Sequence, residues 1–186
     1  MAPVLSHVAV LVPSVRAAAA RCQAEGWELG PIEEFPGEGT REVYVGPPGS
    51  EGRLLFMEAI GPGPYRRALE KRGPGLHHVA VDVASLDDLV ASLAGAGWLL
   101  HPASLGTLAR KTVYLARPGL GALIEVQAVE ALEPGRPRFV AEVSIAGARE
   151  HQPRVDALGV PGLGLAERAE VVVAGKRIAI ADLARG

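Results

Sequence analysis

The sequence predicts an α+β fold built from two copies of a βαβββ unit, followed by a C-terminal β-rich extension. Three observations support this: an internal repeat, the order of strand and helix patterns in each copy, and a globular composition. Of the 186 residues, 48% are hydrophobic and 22% are charged, which is too apolar and too weakly charged for a disordered chain. The chain is long enough to bury a substantial core.

The internal repeat is the strongest signal. The segment Ser6–Val12 (SHVAVLV) reappears as His77–Val83 (HHVAVDV), 71 positions later. Because further pairs recur in the same order, we interpret the repeat as a duplication. Those pairs are Gly26-Trp27 with Gly97-Trp98 at the same spacing, and Val43-Tyr44 with Val113-Tyr114 at a spacing of 70.

Each copy begins with a β-branched, apolar strand. A helix follows, with Ser14 or Ser85 as its N-cap and Gly26 or Gly97 as its stop. Three shorter strands complete each unit; in the first copy we expect them near 27–29, at 42–45 and at 54–59. A helix over 65–72 connects the copies.

These patterns place the paired domain at residues 1–130, with modules at about 4–62 and 75–130. A turn-rich linker, Glu133–Pro137, then opens a C-terminal extension over residues 131–186. We expect the extension to add core and to cover a sheet edge; a degenerate partial third module is the alternative.

Charge and cysteine content limit the partners and the compartment. A net charge of −2 gives no indication of a large basic surface that would bind nucleic acid or an anionic membrane. The single cysteine, Cys22, cannot form an internal disulfide, and neither a signal peptide nor a membrane span is recognisable. We therefore expect a cytoplasmic protein that acts on a small molecule, with a homodimer as the expected assembly.

The repeat also predicts a metal site. Two related modules bring equivalent positions together near their shared axis, and His7 and His78 are equivalent. Glu125 lies on the last strand of the second copy, and Glu58 lies on the corresponding strand of the first. Two imidazoles with one or two carboxylates would bind a divalent ion such as Co, Mn, Ni, Fe or Zn.

Three segments resemble the vicinal oxygen chelate superfamily (glyoxalases, bleomycin resistance proteins and dioxygenases) and, within it, the methylmalonyl-CoA epimerase family. The resemblance covers about residues 4–129 and implies a cupped half-barrel around a divalent metal, with proton transfer on an acyl-CoA thioester. It implies that His78 is the ligand of the His-His pair, as the repeat also indicates, and we expect His77 to be structural. The segments are His7–Val10, Leu69–Val81 and Leu123–Val126.

The same resemblance implies the catalytic residues. Glu42 stands three residues after Gly39, where the epimerase family carries a catalytic glutamate, and Glu125 would be both ligand and acid/base. Matching the run that ends at Glu58-Ala59 places Leu55 at the family's remaining ligand position. A bulge could bring Glu58 there instead. We predict Glu58 as the fourth ligand; without a bulge, the site has three protein ligands.

The leading functional hypothesis is a metal-dependent epimerase or isomerase that transfers a proton through a metal-stabilised enolate, with an acyl-CoA as the candidate substrate. Three alternatives stay open. A non-haem Fe(II) ring-cleavage dioxygenase would use a triad of two histidines and one carboxylate. A glyoxalase-type lyase would use four His/Glu ligands. A metal-free protein could use the same cup to bind a small molecule.

Overall fold

A single eight-stranded sheet contains both βαβββ units. The computed structural model describes residues 2–133 and 135–185. The strands of this sheet are β1 (Val4–Leu11), β2 (Leu29–Phe35), β3 (Thr40–Val45), β4 (Arg53–Ala59), β5 (Gly75–Val83), β6 (Leu99–Leu100), β7 (Thr112–Ala116) and β8 (Leu123–Ala128). The order across the sheet is β2-β3-β4-β1-β5-β8-β7-β6. From the centre of the sheet outward, the strands of each unit therefore follow the order first, last, third and second.

The pairing at the centre of the sheet positions the site. β1 and β5 run antiparallel to each other, and each has the last strand of its own unit, β4 or β8, as a parallel neighbour on its outer side. The first and last strands of both units are thus the four central strands. The predicted α+β class with paired βαβββ units is confirmed.

Six short helices accompany the strands in the described residues. They are α1 (Val15–Ala24), α2 (Pro64–Arg72), α3 (Leu86–Ser92), α4 (Ser104–Thr107), α5 (Gln152–Asp156) and α6 (Ile180–Ala184), with 3-10 turns at Leu108–Arg110 and Arg149–His151. Ser14 caps α1 by accepting a hydrogen bond from the Ala17 N–H, and Ser85 caps α3 in the same way from the Asp88 N–H. Both predicted N-caps are confirmed, since these side chains satisfy N–H groups that have no partner within the helix.

The helix of the second copy is shorter than predicted. α1 ends just before Gly26, as expected, but α3 ends at Ser92, well before Gly97. Gly95 lies between them and adopts a φ of +81°. That left-handed conformation cannot continue a right-handed helix, so the chain turns before the predicted stop.

The two faces of the large sheet bury different clusters. The main core packs one face and includes Val8, Phe56 and Ile124 of the sheet together with Val15 of α1. A second, small cluster lies on the opposite face beneath α2. It consists of Ala9, Leu11, Leu55 and Met57, with Tyr44, Tyr65, Ala68 and Leu69 packed against it. The opposite face also carries the candidate site.

The C-terminal extension forms a separate four-stranded sheet. Its strands are β9 (Val140–Ala146), β10 (Leu163–Ala166), β11 (Glu170–Val173) and β12 (Lys176–Ala179), in the order β10-β9-β11-β12. The elements follow one another as βαβββ, but β9 pairs with β10 and β11. In the two modules the first strand pairs with the last, so the extension has a different strand pairing.

The extension packs against both modules at their equivalent tryptophans. The Trp27 ring contacts Phe139 edge-on, with 5.6 Å between centroids. The indole N–H of Trp98 donates to the Arg154 carbonyl at 3.1 Å. Val143 and Ile145 of β9 belong to the main core, so the extension shares that core. In the described part of the chain, every helix is too short or too polar to span a membrane.

Candidate active site

Two histidines face each other across the central strand pair. His7 lies on β1 and His78 on β5, and their Nε2 atoms are 3.2 Å apart. Register shifts interrupt the β1–β5 ladder between Leu5 and His7 and between Ala9 and Val10. Such irregularities re-aim side chains locally. The predicted convergence of His7 and His78 is therefore present in the structure.

Glu125 completes a cluster with the two histidines. It lies on β8 opposite Ala80 of β5, and its Oε2 is 3.1 Å from Nε2 of His78. One ligand atom from each of His7, His78 and Glu125 lies within 4.8 Å of the other two. Two imidazole nitrogens and one carboxylate oxygen, gathered this closely, fit a divalent transition metal, although they do not identify the ion.

Burial sets the protonation states of the cluster. It lowers the pKa of His7 to about 4, with Arg53 adding to the effect. It also lowers the pKa of His78 well below its ordinary value. Both rings are therefore neutral near pH 7, which is the form that binds metals. Burial raises the pKa of Glu125 to about 7, against the opposing effect of a hydrogen bond from Tyr114.

The cluster opens into a cavity of about 240 Å³. Its lining combines acidic, aromatic and apolar side chains from both modules. Besides the cluster, the lining residues are Glu38, Glu42, Tyr44, Leu55, Met57, Tyr65, Thr107, Arg110, Thr112, Tyr114 and Gln127. Tyr44 and Tyr114 were not predicted as site residues, although the repeated Val-Tyr pair could have indicated them.

Glu42 projects from β3 into this cavity. Its Oε1 accepts a hydrogen bond of 2.8 Å from the hydroxyl of Thr40, a fully buried residue. Burial raises the pKa of the Glu42 carboxyl, while the Thr40 hydroxyl opposes that shift. The residue expected to be catalytic thus lines the same cavity as the proposed metal ligands.

Glu58 is not brought to the cluster. Its Oε2 accepts the N–H of Val15 at 3.0 Å, at the start of α1, and its Oε1 lies 3.1 Å from Arg41. The pairings of β4 with β1 and with β3 run without a register shift, so the bulge that Glu58 required is missing. Leu55, on the other face of β4, lines the cavity instead. The described residues therefore give a cluster of three ligands, not four.

His77, which was expected to be structural, contacts one of the proposed metal ligands. It is buried, and its Nδ1 lies 2.8 Å from Nδ1 of His78. Burial lowers the pKa of His77 to about 4. No pattern in the sequence indicates this contact, because neighbours on a regular strand point to opposite faces.

Solved structures with the same fold include methylmalonyl-CoA epimerases. A hypothetical protein from Bacillus halodurans aligns with a TM-score of 0.56, and a methylmalonyl-CoA epimerase in complex with methylmalonyl-CoA and NH4+ aligns with 0.55. A Streptomyces coelicolor methylmalonyl-CoA epimerase variant in complex with 2-nitronate-propionyl-CoA aligns with 0.52. Each is 19% identical and covers 73% of this chain and 100% of its own. At this identity the likeness establishes a common fold alone.

Sequence comparison gives the family. No curated protein matches the chain. The family model of the Glyoxalase/Bleomycin resistance protein/Dioxygenase superfamily matches residues 7–114, which is more than half of the 186 residues. This chain therefore belongs to the glyoxalase/bleomycin resistance protein/dioxygenase superfamily.

Proposed function

We propose that the protein is a metal-dependent epimerase or isomerase that moves a proton on the carbon next to a carbonyl group. One observation carries the proposal: Glu42 lines the same cavity as His7, His78 and Glu125. The cavity thus combines a candidate base with a candidate metal site. Neutral imidazoles and a half-buried carboxylate suit a metal site, and a second half-buried carboxylate suits proton transfer.

In this proposal His7, His78 and Glu125 would hold a divalent ion, which would supply the positive charge that stabilises an enolate oxygen. Glu42 takes the proton from the carbon, and its raised pKa makes it a stronger base than an exposed glutamate. Epimerisation also needs an acid on the opposite side of the planar carbon. Glu125 is the candidate, since its carboxyl group lines the same cavity as Glu42.

A second cavity supports a substrate with an anionic tail, such as an acyl-CoA. This cavity, of about 700 Å³, shares five lining residues with the first: Glu38, Tyr65, Thr107, Arg110 and Tyr114. Arg67, Lys71 and Arg72 of α2 add positive charge to its lining. Those three side chains could meet phosphate groups while the acyl group reaches Glu42. The fourth basic residue of α2 has another partner: Arg66 donates to the Ala59 carbonyl.

Hydrogen exchange tests the proposed reaction directly. The protein is incubated with Co(II) and methylmalonyl-CoA in deuterated water, and deuterium incorporation at C2 is followed by mass spectrometry. We expect exchange that requires the metal and falls by about 10²–10⁴-fold in Glu42→Gln, with metal content unchanged. Glu33→Gln is the matched control, because Glu33 faces Glu42 across the β2–β3 pair but is exposed. Absence of metal-dependent exchange in the wild-type protein would falsify the proposal.

The three-ligand cluster favours a second candidate, a non-haem Fe(II) dioxygenase. Two histidines and one carboxylate with open coordination positions are typical of such enzymes, and Leu55 supplies no fourth ligand. Oxygen uptake on a catechol by protein loaded anaerobically with Fe(II), without C2 exchange, would favour this candidate. A glyoxalase-type lyase would use four His/Glu ligands, one more than the described cluster provides. A protein that binds its small molecule without metal would show neither activity nor stoichiometric metal.

A further inference from the structure

The two adjacent histidines of β5 share one hydrogen-bond contact. Nδ1 of His77 and Nδ1 of His78 are 2.8 Å apart, and both residues are buried. A neutral imidazole carries a proton on one ring nitrogen and a lone pair on the other. At this distance one Nδ1 must therefore donate the hydrogen bond and the other must accept it.

The surroundings of His78 decide the direction of that bond in the metal-bound protein. Its Nε2 lies 3.2 Å from Nε2 of His7 and 3.1 Å from Oε2 of Glu125, so Nε2 is the atom that faces the other ligands. A ligand nitrogen must offer its lone pair, which puts the ring proton of His78 on Nδ1. His78 is then the donor, and His77 is the acceptor.

We propose that His77 is a positioning residue for the metal site, which fixes the orientation and the tautomer of His78 by accepting the hydrogen bond from its Nδ1. The inference rests on the metal site of the proposed function. It concerns ligand positioning, so it can hold even if the reaction differs. Loss of such a partner typically costs about 10–100-fold in metal affinity.

The packing of His77 suits this role. Its ring lies against Tyr65 of α2, with 5.1 Å between the ring centroids, and it lines the second cavity rather than the first. Tyr65 thus packs against the His77 ring, and His77 contacts His78 from outside the metal site. The repeat places Ser6 at the equivalent position of β1, so only the second module has an imidazole here.

Two substitutions separate positioning from simple packing. In His77→Asn the amide oxygen can take the place of Nδ1, because both atoms are three bonds from Cα and both accept hydrogen bonds. His77→Leu fills the site without an acceptor. His101→Leu is the control, since His101 lines the same cavity as His77 but follows β6 on another part of the chain.

Metal affinity is measured by Co(II) titration, followed by visible absorption and calorimetry. We expect His77→Leu to bind about 10–100-fold more weakly than the wild type, His77→Asn to stay within about threefold, and His101→Leu to match the wild type. Equal affinity in His77→Leu and the wild type would overturn the proposal, and so would equal losses in the Leu and Asn variants. Circular dichroism checks that each variant is folded.

Nuclear magnetic resonance of the Zn(II)-loaded protein provides a second readout that a packing role would not affect. With ¹⁵N-labelled histidine, we expect the proton of His78 on Nδ1, slow to exchange with water, and the proton of His77 on Nε2. A proton on Nδ1 of His77 would overturn the proposal. If the wild type binds no divalent ion, the metal site and this inference both fail. If it binds the ion but shows no C2 exchange, only the proposed reaction fails.

Discussion

Leu55 and Glu125 occupy equivalent positions in the two halves of the sheet. His7 pairs with Arg53 on β4, and His78 pairs with Leu123 on β8. Two residues further along each last strand lie Leu55 and Glu125, both of which line the cavity. One half thus offers a carboxylate where the other offers an isobutyl group, and this asymmetry leaves the metal cluster with three protein ligands.

Adding a ligand at this position should strengthen metal binding. We expect Leu55→Gln to bind Co(II) roughly tenfold more tightly than the wild type, because its amide oxygen adds a suitable ligand on the side of β4. Leu55 is only 4% exposed, so the buried amide should also cost about 1–3 kcal/mol in the free energy of unfolding of the metal-free protein. Calorimetric titration and urea denaturation measure the two effects.

The matched control is Met57→Gln. Met57 lies on the same face of β4 and is also buried, but it sits roughly 7 Å further along the strand. A gain in metal affinity in Met57→Gln equal to that in Leu55→Gln would contradict the assignment of Leu55 to the missing position.

Removing Glu58 should affect stability rather than metal binding. Its carboxylate accepts the Val15 N–H at the start of α1 and pairs with Arg41. We expect Glu58→Ala to lower the free energy of unfolding by about 1–2 kcal/mol and to retain its metal. His78→Ala should lose stoichiometric metal. Elemental analysis after desalting compares the variants, and metal loss in Glu58→Ala would show that Glu58 is a ligand after all.

Metal affinity should weaken in acid because of Glu125. Its raised pKa of about 7 means that the carboxyl is protonated below that pH, and the ion must displace this proton. The lowered pKa of His7, about 4, adds no such competition near neutrality. We therefore expect affinity to fall about tenfold per pH unit below 7.

Calorimetry in buffers with different ionisation enthalpies counts the protons released. We expect about one proton per bound ion near pH 6 and nearly none at pH 8. Glu125→Gln should abolish the release, together with much of the affinity. Proton release that stays at zero near pH 6 would rule out a protonated Glu125 in the metal-free protein.

Neutralising the basic face of α2 should weaken substrate binding without slowing the chemical step. We expect Arg67→Ala/Lys71→Ala to raise KM for an acyl-CoA about tenfold, because charged hydrogen bonds to the phosphates disappear, and to leave kcat unchanged. The difference should shrink at high salt because charges are screened. An acyl thioester that lacks the phosphates should show no difference, and Arg16→Ala on α1 serves as the control. An equal effect on the short thioester would contradict a role in binding phosphates.

Glu51 should be important for attachment of the C-terminal extension. It is buried, accepts the N–H groups of Gly135 and Arg136, and pairs with Arg138 at 2.9 Å. We expect Glu51→Ala to cost about 3 kcal/mol in the free energy of unfolding, since it leaves three donors without their acceptor. Glu51→Gln should cost less because it keeps one acceptor oxygen. Urea denaturation measures both variants, and a loss below about 1 kcal/mol in Glu51→Ala would argue against this role.

The sequence alone predicted the fold and three members of the cluster because both follow from one repeated pattern. His7 and His78 recur at the same place in two similar strands, and Glu125 lies on the last strand of the second unit. When two such units share a sheet, symmetry brings these positions together. The N-caps Ser14 and Ser85 were equally predictable, because capping depends on residues only three positions apart.

Tertiary structure decided what depends on register and on neighbouring strands. Side chains on a strand alternate between faces, so a shift of one residue exchanges the residues that face the cavity. Without a bulge in β4, Leu55 faces the site, while Glu58 faces α1 and Arg41. The contact between His77 and His78 likewise depends on ring orientations that local sequence does not determine. The repeat therefore determined which strands meet at the site, and the pairing of those strands decided which side chains face it.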